Sequence, residues 1–238
     1  LKGHGWVVNW TGDVRQPIPQ WYYDIGPHVH LTAFSNEHDV RVFHSPEHAA
    51  DYLQIGIDQD IYKSGYDPTT AAEIVFMGNN YEDMFPLSQA RRDLVEHLMR
   101  DFGSKFAVYG DGWPQAESLM HSQFLEAQVY NSAKVAINFN HYEIERYSSD
   151  RILRILGSGC MCLSQHYPGI EKDFIPGVHL DTFRDLPELT QKVSYYLIKA
   201  NERQRIARAG QELCHKDYTL DAMARNLIDL YKKHSCES

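Results

Sequence analysis

Cysteine is scarce in this chain, with four residues in 238 (Cys160, Cys162, Cys214 and Cys236), all in its last third. That is too few and too clustered for a disulfide scaffold, and it fits a reduced, cytoplasmic setting. No apolar run approaches the ~20 residues that span a bilayer, and Leu1–Trp10 lacks the charged, long-apolar, small-residue order of a signal peptide. Basic excess is missing too. Lys and Arg number 23 against 32 Asp and Glu, a net charge of -9. This argues against a broad nucleic-acid footprint and leaves room only for a local basic cleft. Neither the dinucleotide fingerprint nor the phosphate-binding P-loop pattern occurs, which weighs against NAD and ATP sites. No internal repeat or low-complexity tract is present.

What is there suits a packed α/β protein. Hydrophobic residues make up 43% and charged residues 23%, so disorder and coiled coil are excluded. Strand-like runs alternate with helical ones, the pattern of a Rossmann-like parallel sheet. Strands are expected at Trp6–Trp10, His30–Phe34, Val40–Phe43, Glu73–Met77, Lys105–Tyr109, Val135–Phe139 and Cys160–Ser164. Helices are expected at Gln20–Ile25, from Ser45 to about Leu53 (Pro46 following a cap), and at Ser88–Phe102, Ser122–Ser132, Ser149–Leu156, Leu186–Lys199, Asn201–His215 and Leu220–His234. Residues 63–72, rich in turn formers, read as a linker. They would divide an N-terminal region, 1–62, from a C-terminal unit, 73–238. The chain opens with Leu1 and is strand-like by Trp6. Either residues precede it, or it is a fragment or a shortened version of its fold.

Ligands of open parallel sheets gather beyond the carboxyl ends of strands, at helix N-termini. Three such ends are polar or glycine-rich. They are Gly78-Asn79-Asn80-Tyr81, with Arg91 and Arg92 on the next helix, then Gly110-Asp111-Gly112-Trp113, and the loop Asn138–Arg151 entering a helix at Ser148-Ser149-Asp150-Arg151. Taken singly, each glycine reads as turn geometry and Ser149 as a plain helix cap. Together they point to an anion or nucleotide site. Asp13 could be a base or a turn former in Thr11-Gly12-Asp13. His28 and His30 are weaker base candidates. His44 and His48 have a spacing that two metal ligands could use, but no third ligand accompanies them. The Trp21-Tyr22-Tyr23 cluster suits either burial or stacking on a sugar.

The segment Ser149-Asp150-Arg151-Ile152-Leu153-Arg154-Ile155-Leu156-Gly157-Ser158-Gly159, followed by Cys160–Ser164, resembles the "S-x-R-x-x-E-x-x-x-x-G" stretch of GT-B glycosyltransferases. The likeness is nearest to the spore-maturation (CgeB-like) members. Phe76-Met77-Gly78-Asn79, Val108-Tyr109-Gly110, Phe174–Leu180, Asn201–Gly210 and His215–Thr219 agree in order and spacing. The resemblance covers about Glu73–Tyr231, with a weaker match over Trp10–Tyr62. It implies transfer of a sugar from a nucleotide-sugar donor to an acceptor hydroxyl, without a bound metal or a cofactor beyond the co-substrate. The donor would lie on the C-terminal unit, near Gly78, Asn79, Arg91, Gly110, Glu143, Ser148, Ser149 and Arg151. Asp13 would be the catalytic base.

Two features depart from the family pattern. Many retaining members place two glutamates eight positions apart, where this chain has Arg146 and Arg154. A guanidinium only donates hydrogen bonds and cannot replace a carboxylate that accepts them; Glu143 and Glu145 are near enough to stand in for the first. The N-terminal region is also about half the length of a complete Rossmann unit. A DNA-modifying viral sugar transferase and a non-catalytic nucleotide- or sugar-binding scaffold are the alternatives.

Overall fold

The computed structural model describes residues 5–68, 72–116 and 122–235. Linker residues 69–71 and Cys236 therefore lie outside the described part. Two parallel sheets form. The first has the order β1-β2-β3, from Val8–Thr11, Leu31–Phe34 and Ala50–Tyr52. The second has the order β5-β4-β6-β7-β8, from Phe106–Tyr109, Ile74–Met77, Val135–Asn138, Met161–Gln165 and Asp181–Phe183. β4 and β6 are buried at every position, as strands covered by helices on both faces must be.

The helices are α1 (Gln20–Ile25), α2 (Glu37–Phe43), α3 (Ser88–Phe102), α4 (Gln123–Ser132), α5 (Asp150–Gly157), α6 (Leu186–Ile198), α7 (Ala200–Asp217) and α8 (Leu220–Ser235). α5 sinks Ile152, Leu153, Ile155 and Leu156 completely into the core. Each such side chain stabilises the fold by about 1.5–3 kcal/mol. The connection β4-α3-β5 runs to one side of β4, and β6 then pairs on the other side. This leaves a crevice at the carboxyl ends of β4 and β6, where the winding direction changes.

Two local expectations fail. Val40–Phe43 is the second half of α2 rather than a strand. The Asn36 side chain caps that helix, its Oδ1 accepting from Asp39 N at 2.7 Å, and the helical spacing of Val40 and Phe43 turns them to the core. Conversely, the helix expected from Ser45 is a closed turn. Ser45 and His48 exchange backbone hydrogen bonds, and Ala50–Tyr52 then pairs with β2. β8 carries no sequence signal that singled it out. In the aromatic cluster, Tyr22 is buried against Phe34 and Phe43 while Trp21 stays half exposed.

α8 leaves the C-terminal unit and covers the first sheet. Met223, Leu227 and Leu230 pack on Leu31, Ala33 and Leu53, and Trp6 meets Tyr231 edge-on at 5.2 Å. The Asp51 carboxylate accepts from Lys233 Nζ at 2.6 Å and pairs with His234 at 3.1 Å. A three-stranded sheet thus completes its core with a helix from the far end of the sequence.

A candidate anion site where the sheet changes direction

Gly78 follows β4 with φ +151°. A Cβ there would stand 2.8 Å from Nη2 of Arg151 and 2.9 Å from Nη2 of Arg91. Two guanidiniums thus close over one glycine. Arg91, the fourth residue of α3, is 2% exposed. Its Nη1 donates to the Phe139 carbonyl at 2.5 Å and its Nη2 to the Asn79 carbonyl at 3.2 Å. Arg151, in the first turn of α5, folds back over β4 and β6. Its Nε donates to the Met77 carbonyl at 2.5 Å, and Nη1 donates to the Phe139 carbonyl at 3.1 Å and to Ser149 Oγ at 3.3 Å.

Among the described residues, neither guanidinium forms a salt bridge with a carboxylate. Burial, and then the neighbouring charge of Arg151, pulls the Arg91 pKa down to about 8. Two unneutralised cations side by side, one of them buried, form a site whose charge calls for an anion. His141 feels the same field. Burial first, then Arg91 and Arg151, pulls its imidazole down to about 3, so it is neutral at physiological pH.

The expected site residues divide into groups. Gly78, Arg91 and Arg151 come together, with Ser149 beside them. Ser149 holds the cap position of α5 but makes no side-chain cap bond. Asn79 supports the loops: its Oδ1 accepts from Asp111 N at 2.9 Å. Gly110 lets the β5 loop close on the β4 loop, since a Cβ there would lie 2.7 Å from the Gly78 carbonyl carbon. Trp113 Nε1 then donates to the Gly78 carbonyl at 2.7 Å. Ser148 is buried and accepts from Gln54 Nε2 at 2.6 Å, a tie to the segment after β3. Glu143 is exposed on the β6–α5 loop. Asp13 is 78% exposed at the end of β1, 4.0 Å from Arg15. The next residue, Val14, packs with Ile144 and Tyr147 of the β6–α5 loop, so Asp13 stands at the rim of the contact between the segment after β1 and that loop.

Arg146 and Arg154 are struts. Arg146 makes a two-pronged bond to Asp173 at 3.0 and 2.9 Å, donates to Glu37 of α2 at 3.0 Å, and lies 3.9 Å over the Tyr52 ring. Arg154 bonds Glu126 at 2.9 Å and Asp150 at 2.5 Å. His44 and His48 bond to backbone and to Ser45. The sequence holds one Asp-x-Asp triplet, Asp58-Gln59-Asp60, which lies between β3 and β4; there Asp60 N donates to Asp58 Oδ1 at 2.9 Å and closes a turn.

The fold and this site can be set beside known proteins. A family model described as "Glycosyl transferase-like" matches residues 90–229, and no curated protein matches. Among solved structures, the chain is similar to a sucrose-phosphate synthase from Thermosynechococcus elongatus (12% identity, TM-score 0.71, 97% of this chain and 68% of that one). It is also similar to HepE of Anabaena, solved in complex with UDP and glucose (9%, 0.70, 95% and 71%). A glycosyltransferase from Rickettsia africae is a third (11%, 0.61, 97% and 71%). These similarities carry the architecture, a GT-B fold. By the family match, which spans more than half of its length and includes both arginines of the anion site, the chain belongs to the glycosyl transferase-like family.

Proposed function

We propose that the chain transfers a sugar from a nucleoside-diphosphate donor to an acceptor hydroxyl, with the diphosphate resting on Arg91 and Arg151. The observation that carries this reading is the pair of guanidiniums closing over Gly78 with no carboxylate partner among the described residues. As the bond to the anomeric carbon breaks, negative charge grows on the leaving diphosphate. Cations fixed in place beforehand stabilise that state more than the ground state. In this role the arginines do what a bound metal does elsewhere, so the reaction is read as metal-independent. Asp13, exposed at the rim, is the proposed base for the acceptor hydroxyl. UDP and glucose in the Anabaena neighbour make a UDP-sugar the first donor to try. The motif order favours kinship with the CgeB-like members, and the buried free thiols Cys160, Cys162 and Cys214 suit a reducing cytoplasm.

Calorimetry against UDP-, GDP-, ADP- and CMP-sugars, with assay of released sugar, tests the proposal. Tight binding of one donor with slow sugar release supports a transferase. Binding without release or transfer to any acceptor supports a scaffold, and no binding rejects both.

A further inference from the structure

His141 belongs to no motif, yet it is the residue through which the anion site meets an aromatic wall. It follows Asn138-Phe139-Asn140 at the end of β6 and sits against Phe85, 4.4 Å between ring centres, and Tyr81, 5.3 Å. Tyr142 closes on Phe85 at 5.7 Å. The imidazole makes no hydrogen bond among the described residues. Nδ1 is sealed from solvent, whereas Nε2 is not. A neutral imidazole carries one N–H; on Nε2, the nitrogen that solvent reaches, that N–H is open to a ligand. Burial and both guanidiniums keep the ring uncharged.

The loop that carries His141 borders both guanidiniums, which donate to its Phe139 carbonyl. It also bears Ile144 and Tyr147, which pack with Val14 in the segment after β1, so the loop that lines the anion site also meets the segment of the proposed base, Asp13.

We propose that His141, backed by Tyr81 and Phe85, forms the subsite for the transferred sugar, with Nε2–H donating to a sugar oxygen and the exposed Tyr81 ring facing the sugar's C–H surface. This rests on the donor reading above and adds a residue that distinguishes a nucleotide sugar from a bare nucleoside diphosphate. Such a contact gives the sugar ester an affinity advantage that the free diphosphate does not share.

The test compares UDP, GDP and ADP, each against its glucose ester, by calorimetry on the full chain. His141→Phe should cut affinity for the bound glucose ester at least fivefold and leave the matching free diphosphate within twofold. His141→Gln, which keeps a neutral donor, should recover most of the loss. His141→Leu serves the same comparison if the larger ring disturbs the fold. Equal loss for ester and free diphosphate, or no loss for either, overturns the subsite alone. A native chain that binds none of these ligands overturns the donor reading and the subsite with it.

Discussion

Gly78 and Arg151 leave no room for a side chain between them: a Cβ on the glycine would stand 2.8 Å from Nη2. The backbone there, at φ +151°, also suits glycine alone. Gly78→Ala should therefore push both guanidiniums outward and strain β4's exit. We expect at least a tenfold loss of nucleoside-diphosphate affinity, with a folding cost of about 1–3 kcal/mol. Calorimetry and thermal melts of the same sample measure the two effects.

The two arginines should separate binding from stability. Arg151→Ala should weaken nucleoside-diphosphate binding by about 1–3 kcal/mol, the worth of a charge-assisted hydrogen bond. Arg91→Met removes a buried cation repelled by its neighbour but takes the Arg91 donor from the Asn79 carbonyl and leaves the Phe139 carbonyl with Arg151 alone. These effects oppose each other, so the ligand-free melting temperature should stay within a few degrees of the native chain. Binding should fall about a hundredfold. A large destabilisation would mean that Arg91 is a strut.

Arg146 should behave in the opposite way. It joins α2 and β3 of the first sheet to Asp173, whose side chain is 4% exposed. Arg146→Ala leaves that carboxylate without its principal cation and should cost about 2–4 kcal/mol. Arg146→Glu should be worse, because it faces Glu37 and Asp173 with a third negative charge. Urea unfolding of the two variants decides. If the glutamate variant is the more stable, this position is not the strut described here.

Much of this arrangement could be read in the sequence, and the exceptions have physical causes. α3 and β4 were legible because long periodic helices and fully apolar strands leave one reading. Val40–Phe43 and Ala50–Tyr52 were not, because short apolar runs fit either period until a cap or a partner strand decides. Gly78 was singled out by its place at a strand end, and Arg91 and Arg151 by their places at the starts of helices. That Arg91 is buried and that Arg151 turns back over the sheet depend on tertiary packing. His141 had no sequence signal at all, since its meaning comes from Phe85 and Tyr81 across the crevice.

The neutral state of His141 makes a pH prediction. Its folded pKa of about 3 lies below the ordinary histidine value. As pH falls below about 6.5 the unfolded chain takes up this proton and the folded chain does not. Stability should thus decline with falling pH from about 6.5 downward, until the folded ring itself titrates. His141→Phe should flatten that part of the stability profile relative to the native chain, as read from melting temperatures between pH 4 and 8. An unchanged slope would place the proton uptake elsewhere.

The proposed function requires that the crevice bind negative charge. Its most direct test is calorimetry of the best-binding nucleoside diphosphate against its own nucleoside, on the native chain and on Arg151→Ala. In the native chain the diphosphate should bind at least a hundredfold more tightly than the nucleoside, and the arginine variant should lose most of this advantage. Equal affinities in the native chain, or an advantage untouched by the substitution, would contradict the proposed function.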